Sequence, residues 1–159
     1  RRQRQMCIRD SCKGALDHFD RPEQAVAEMA RVTSAEGRVV LAIANFESLA
    51  CRTARFSDQL REGWLGCSVS RGRRHYDVPA DHFTRYELGL MKEQASRSLV
   101  LECVEGVSIA WGLPVWTRSV DHLPQGLAAL ALQGLDWLAR RAPGLADVVV
   151  LAGRPRRER

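Results

Sequence analysis

Apolar and polar positions in residues 15–45 predict a helix followed by a buried strand. Four positions are spaced to share one face of that helix: Val26, Met29, Ala30 and Thr33. Asp20 and Glu23 predict a capping box at its start, and Gly37 predicts its end. Residues 39–44 are apolar without alternation, which is typical of a strand covered on both faces. The order of these elements indicates half of a β-α-β unit in a parallel sheet.

Further helices and strands are predicted along the rest of the chain. Residues 81–95 predict a helix that begins with a Thr-x-x-Glu capping box, and residues 99–104 predict the strand after it. Residues 125–141 carry apolar side chains at helical spacing, and residues 147–153 predict a last short strand. Residues 46–63 fit an irregular amphipathic helix. Helices and strands therefore alternate, as they do in α/β proteins.

The N-terminal residues differ from this pattern. Residues 1–13 show the periodicity of neither a helix nor a strand. Within them, residues 6–11 (MCIRDS) resemble a translated remnant of a sequencing adaptor. We therefore expect residues 1–13 to be a non-native or disordered leader, and the true N-terminal part of the protein to be missing. Residues 154–159 are expected to form a basic tail.

The distribution of charge argues against a nucleic-acid partner. The chain has a net charge of +5, but residues 1–13 carry five basic residues and one acidic residue, and residues 154–159 carry four and one. The 140 residues between them carry 15 basic and 17 acidic residues, so the basicity does not belong to a folded face. No apolar run approaches the ~20 residues that span a membrane, so no membrane partner is expected.

Cysteine usage predicts a reduced, cytoplasmic protein. The number of cysteines is odd, and their spacing is wide and without a C-x-x-C pair: Cys7, Cys12, Cys51, Cys67 and Cys103. Such spacing fits neither a disulfide framework nor a structural zinc site. The sequence also shows no catalytic triad and no metal-ligand motif, so no metal is expected.

Two stretches resemble class I S-adenosylmethionine-dependent methyltransferases of the type 11-like kind. Residues 15–46 (ALDHFDRPEQAVAEMARVTSAEGRVVLAIANF) are similar to the family's segment after the fourth strand, with an apolar-His turn, a Glu-x-x-Arg-Val helix end and a fifth strand. The turn before the strand reads Ser-Ala-Glu-Gly, where Lys-Pro-Gly-Gly is common in the family. Residues 82–88 (HFTRYEL) are similar to the start of the helix that leads to the sixth strand.

The resemblance implies an α/β fold, namely the C-terminal part of a Rossmann-like methyltransferase sheet. Residues 14–153 would form this part, with the last strand antiparallel between strands 39–44 and 99–104. By the same resemblance, residues 46–80 are a candidate lid over the substrate. The Gly-rich turn and the acidic residue that hold the family's cofactor have no counterpart here, so this chain alone is expected to bind the cofactor poorly.

The resemblance also implies the site residues, at the carboxyl ends of the strands where open α/β sheets bind ligands. Four residues after the fourth strand are candidates for binding S-adenosylmethionine: Leu16, Asp17, His18 and Phe19. His18 is also the candidate catalytic base, although a loop histidine bonded to backbone is an open alternative. Four further residues are candidates for binding the acceptor: Asn45, Phe46, His82 and Phe83. For His82 and Phe83 a plain role at a helix start stays open.

The function implied is methyl transfer from S-adenosylmethionine to a small-molecule acceptor in the complete protein, with the fragment itself inactive. Displacement at a sulfonium needs alignment and, for some acceptors, proton removal, so neither a triad nor a metal is required. The alternative is a non-enzymatic α/β module that binds a partner through its exposed edge and basic ends. The sequence indicates neither the acceptor nor the oligomeric state.

Overall fold

The computed structural model describes residues 7–64, 74, 76–111 and 113–157. Within these residues, one sheet contains four strands, which we number along the chain: β1 (Cys7–Lys13), β2 (Thr33–Ala44), β3 (Leu99–Val107) and β4 (Val148–Pro155). The strand order is β1-β2-β4-β3. Strands β1 and β2 are parallel, and β4 runs antiparallel to both of its neighbours.

Five α-helices connect and cover these strands in the described part of the chain: α1 (Pro22–Val32), α2 (Leu49–Trp64), α3 (Leu88–Ser98), α4 (Pro114–Asp121) and α5 (Gln125–Arg141). Two single turns of 3-10 helix lie at Leu16–His18 and Pro143–Leu145. None of the described helices combines the length and the apolar character that a membrane crossing requires.

The predicted α/β fold with an antiparallel last strand is confirmed. The three predicted strands lie in one sheet, and β4 sits between β2 and β3. On one side Leu41 pairs with Leu151, and on the other Val104 pairs with the same residue. The bounds of α5 agree with the predicted helix at residues 125–141.

Residues 1–13 show no strand periodicity in the sequence, yet Cys7–Lys13 form the strand β1. This strand pairs in parallel with β2, with Asp10 opposite Val39 and Lys13 opposite Ala42. Along its described side chains, half-buried and exposed positions alternate. A strand at the edge of a sheet tolerates such polar residues, because only one side of its backbone is paired. That residues 1–13 are non-native stays a prediction.

Three predicted helix signals are not used. Helix α1 starts at Pro22 after Arg21 without a side-chain cap, so Asp20 and Glu23 form no capping box. Gly37 lies inside β2, because the helix passes directly into the strand at Thr33, whose hydroxyl donates to the Met29 carbonyl oxygen at 2.8 Å. Helix α3 likewise starts later than predicted and without a side-chain cap, so residues 81–87 are free to run as a loop across the site.

The core has two parts, a larger and a smaller cluster of buried side chains. The larger part joins α1 and α3 to the strands, and its fully buried members include Val26, Leu41, Met91 and Leu151. The smaller part lies under α5 and consists of Ile109, Ala139 and Ala146, with partly buried neighbours. Strand β3 carries Gly106 at the point of closest approach, where a Cβ would lie 2.4 Å from the Ala139 carbonyl oxygen.

Candidate functional site

The candidate site lies where β1 and β2 end at their carboxyl edges. After β1, Gly14 has a positive φ of 58° and donates its N–H to the Ala42 carbonyl oxygen at 2.8 Å. This conformation suits glycine, and it turns the chain into the 3-10 turn Leu16–His18. The Leu16 side chain is 1% exposed and belongs to the larger core. The turn is therefore anchored by Leu16, and Asp17 and His18 follow directly.

Residues 79–86, which we call the crossing segment, bring a second set of side chains to this edge. Phe83 donates its N–H to the Asp17 carbonyl oxygen at 2.7 Å, and Phe46 donates to the Tyr86 carbonyl oxygen at 3.0 Å. Tyr86 is 1% exposed, and its hydroxyl contacts Gln94 at 2.9 Å. The crossing segment is therefore bonded to the loops that follow both parallel strands, with Tyr86 as its anchor in the core.

Burial keeps the Tyr86 hydroxyl protonated. Loss of solvent raises the pKa of Tyr86 above its usual value, and the charge of Asp17 raises it further. Loss of solvent also raises the pKa of the Cys12 thiol on β1, again with a smaller contribution from Asp17. The carboxylate of Asp17 is thus the group whose field reaches several neighbours at this edge of the sheet.

Asp17 and His82 form a buried pair. Asp17 is 3% exposed, and its Oδ2 lies 3.0 Å from Nδ1 of His82. The ring nitrogen is not directed along this line, so the contact does not satisfy hydrogen-bond geometry. In the part of the chain that the structure describes, Oδ1 of Asp17 and Nδ1 of His82 are the buried side-chain atoms that lack a hydrogen-bond partner.

His18 completes a compact group with this pair. The rings of His18 and His82 lie 4.4 Å apart between centroids, at an interplanar angle of 75°. Nδ1 of His18 lies 3.0 Å from the Asp81 carbonyl oxygen. Because a carbonyl oxygen only accepts, Nδ1 carries a hydrogen, and in the neutral ring the lone pair then lies on Nε2. The His18 side chain is 42% exposed, so the group is reachable from solvent on this side.

A cleft of about 280 Å³ lies beyond the end of β2. Its lining combines apolar and polar side chains, namely Ala44, Asn45, Phe46, Ser48, Ala50, Cys51, Asp77, Pro79, Trp111 and Asp147. The Phe46 ring also stands 6.2 Å from the His82 ring, almost perpendicular to it. Phe46 therefore borders both this cleft and His82. Asp147 accepts hydrogen bonds from the Ser108 hydroxyl and the Trp111 N–H at 3.0 and 2.9 Å.

Asn45 lines the cleft, but its amide is engaged with the backbone. Its Nδ2 donates to the Gly144 and Ala146 carbonyl oxygens at 3.1 and 2.9 Å, and its Oδ1 accepts from the Glu47 N–H. The side chain is buried, so it ties the end of β2 to the turn before β4. Phe19 and Phe83 lie at the same edge and are exposed by 43% and 68%.

Sequence reasoning identified the separate loops of this site but missed their pairing. It assigned Asp17 to the cofactor and His82 to the acceptor, whereas the structure brings the two side chains into contact. Nothing in the spacing of these residues signals that contact, because it depends on how the crossing segment packs. The cleft residue Asp147 was also missed. Most of the predicted lid after Trp64 (residues 65–73 and 75) lies outside the described residues, so a lid role stays a prediction.

No protein-family model matches the chain, and no curated protein matches it in sequence. Among solved structures, it is similar to the presumed methyltransferase in a complex with the Haloferax volcanii methyltransferase activator Trm112, with a TM-score of 0.51 and 14% identity. The similarity covers 97% of this chain and 56% of that chain, so this chain spans little more than half of its neighbour's length. At this identity the likeness concerns the fold, and the chain has a methyltransferase-like α/β fold.

Proposed function

We propose that the protein transfers a methyl group from S-adenosylmethionine to a small-molecule acceptor. One observation carries this proposal: in a methyltransferase-like fold, His18 and the pair Asp17–His82 lie at the carboxyl ends of the two parallel strands. In open α/β sheets this edge is where ligands bind. The residues described here form one side of such a site, since they include no Gly-rich turn after a strand.

The chemistry requires little from the protein beyond alignment. S-adenosylmethionine supplies a methyl group that is already activated on a sulfonium. The protein holds donor and acceptor in line, excludes water and assists loss of the acceptor's proton. We assign the rim of the cofactor site to the turn Leu16–His18 and the following Phe19, and we assign assistance of proton loss to His18. Its exposed ring next to the buried pair supports this assignment.

The cleft beyond β2 supports a small acceptor. Its volume of about 280 Å³ lies at the lower end of the range of small-molecule sites, and its lining is largely apolar with a few polar groups. Phe46 would face the acceptor, and His82 and Phe83 would close the site from the crossing segment. Because the amide of Asn45 is engaged with the backbone, we propose that Asn45 shapes this cleft through its position.

The second candidate function is a non-enzymatic interaction module. Its support is the outer face of α5, where Leu127, Leu130 and Trp137 are each more than half exposed. Exposed apolar side chains grouped on one helix are typical of surfaces that bind partners. This function requires no cofactor, so cofactor binding by the whole protein separates the two proposals.

The test uses the protein translated from an uninterrupted clone of the gene. We expect it to bind S-adenosylmethionine saturably by calorimetry and to transfer tritiated methyl groups to members of a small-molecule panel. The 159-residue chain by itself is expected to show no saturable binding. A protein from the uninterrupted clone that binds no S-adenosylmethionine would refute the methyltransferase proposal and favour the interaction module.

The role of His18 is tested in that same protein. We expect His18→Ala to lower turnover by roughly 10²-fold, the lower end of what a positioned proton-transfer group contributes. His122→Ala is the matched control, because His122 is an exposed histidine remote in sequence from the site, and its turnover should be unchanged. Unchanged turnover in His18→Ala would remove His18 from the reaction.

A further inference from the structure

We propose that Asp17, His18 and His82 form a binding site for one divalent first-row transition-metal ion, with Zn²⁺ as the best match. Each residue offers one ligand atom, and the three atoms lie within 4.8 Å of one another. They come from two separate parts of the chain, the turn after β1 and the crossing segment. The backbone hydrogen bond from Phe83 to Asp17 and the contact of His18 with the Asp81 carbonyl oxygen join these parts before any ion binds.

Two buried polar atoms of this cluster lack a partner within the described part of the protein. Oδ1 of Asp17 and Nδ1 of His82 are buried and lack a hydrogen-bond partner within the described residues. Leaving such atoms unsatisfied is costly, and a native structure normally pairs them with protein, water or an ion. Asp17 is only 3% exposed, so a carboxylate charge there needs a compensating cation.

His18 is oriented in the way that is typical of a metal-binding histidine. Histidines that bind metals usually donate their other ring N–H to a carbonyl or carboxylate, which fixes the tautomer and the ring plane. His18 makes this contact with the Asp81 carbonyl oxygen at 3.0 Å, and the Asp81 carboxylate lies 3.6 Å from the same nitrogen. The lone pair on Nε2 is therefore free for an ion.

The cluster offers two imidazoles and one carboxylate as metal ligands. Two imidazoles and one carboxylate form one of the ligand sets of catalytic zinc sites, which keep a fourth position open for water or substrate, and the same set also binds Fe²⁺. Mg²⁺ and Ca²⁺ prefer oxygen ligands, so two histidines disfavour them. The 42% exposure of His18 gives that fourth position access to solvent. The ligand set thus favours Zn²⁺ or a similar ion with an open coordination position.

This inference stands without the proposed function, because it involves neither cofactor nor acceptor. If both hold, the open position lies at the edge where the acceptor would bind. An acceptor oxygen on that position would lose its proton more easily, and His18 would assist proton loss by holding the ion. The rival explanation is that a protonated His82 alone compensates the charge of Asp17.

The test is titration of the metal-free 159-residue chain with Zn²⁺ by calorimetry. We expect one equivalent to bind saturably, and His18→Ala and Asp17→Asn each to weaken binding by at least about tenfold, as even changes at groups behind the ligands do. His122→Ala is the matched control, and its affinity should stay within about twofold of the parent. Because His18 is partly exposed, its replacement should leave the circular dichroism spectrum unchanged.

Substitution with Co²⁺ tells this site from one made of cysteines. Cys12, Cys51 and Cys103 are free thiols, so they are competing ligands. Ligation by nitrogen and oxygen gives visible d–d bands without the intense thiolate-to-cobalt band of the near ultraviolet. Absence of saturable binding, a thiolate band, or equal affinity of parent and His18→Ala would each overturn the metal site and leave the rival ion pair. None of these results depends on S-adenosylmethionine, so the proposed function is judged separately.

Discussion

The two core clusters are packed to very different depths. In the larger cluster, under α1 and α3, large side chains from helices and strands are almost completely buried, including Leu41, Met91 and Leu151. In the smaller cluster, under α5, the fully buried residue of that 17-residue helix is Ala139, whereas Leu130 and Trp137 of the same helix are 66% and 57% exposed. The larger cluster therefore removes far more apolar surface from water than the smaller one.

This difference explains where the candidate site is built. Leu16 and Tyr86 both belong to the larger cluster, and both are 1% exposed. Leu16 directly precedes Asp17, and Tyr86 ends the crossing segment that carries His82. A site needs side chains held by well-packed neighbours, and the loops of this site are anchored in the deeper core. The stability of that cluster and the geometry of the site should thus change together.

The largest expected effect compares a leucine of the larger cluster with a leucine of α5. Leu41→Ala removes a side chain that is 1% exposed, so we expect a loss of about 2–5 kcal/mol in the free energy of unfolding. Leu130→Ala removes a side chain that is 66% exposed, and its effect should stay within about 0.5 kcal/mol. Urea denaturation of the two variants measures both values. Similar losses would show that α5 is as deeply packed as the larger cluster.

A smaller effect is expected at Gly106, where β3 lies closely against α5. A Cβ at Gly106 would lie 2.4 Å from both the Ala139 carbonyl oxygen and the Ala146 Cβ. Because helix and strand must separate to admit it, Gly106→Ala should cost about 1–3 kcal/mol.

The matched control is Gly134→Ala in α5, where a Cβ meets no atom within 4 Å. In a helix interior this change should stabilise the protein by up to about 1 kcal/mol. Thermal unfolding of both variants measures whether each substitution lowers or raises the stability of the protein. A harmless Gly106→Ala would mean that α5 does not rest closely on β3.

The sequence predicted the frame of the fold better than its edge. Long apolar runs and helical spacing identified β2 and α5, and the resemblance placed the last strand antiparallel between its neighbours. Strand β1 was missed because an edge strand needs no apolar pattern, and its pairing with β2 carries the information instead. Local capping signals failed where the chain passes directly from helix to strand, as at Thr33.

The candidate site, too, could be predicted only in part from the sequence. The resemblance indicated which loops lie at the carboxyl ends of the strands, and those loops do meet there. It did not indicate that Asp17 contacts His82, or that the amide of Asn45 is used by the backbone. Such contacts depend on packing between segments distant in sequence, for which a single sequence without periodicity carries no signal.

The smallest expected effect concerns Tyr86, where the deeper core meets the site. Burial raises the pKa of Tyr86, so the folded protein keeps this phenol protonated at a pH where the unfolded chain, with a tyrosine pKa of about 10, releases the proton. Stability from this difference is fully present below about pH 10 and is lost as the pH rises toward the folded pKa.

Tyr86→Phe removes this proton linkage together with the contact to Gln94, which costs about 1 kcal/mol at neutral pH. Above pH 10 the parent should lose at most about 1.4 kcal/mol per pH unit relative to the variant, so the gap between them should close. Urea unfolding of both metal-free proteins from pH 7 to 11 measures it. Parallel pH profiles would mean that Tyr86 is as well solvated in the folded state as in the unfolded chain, and that the crossing segment is not anchored in the core.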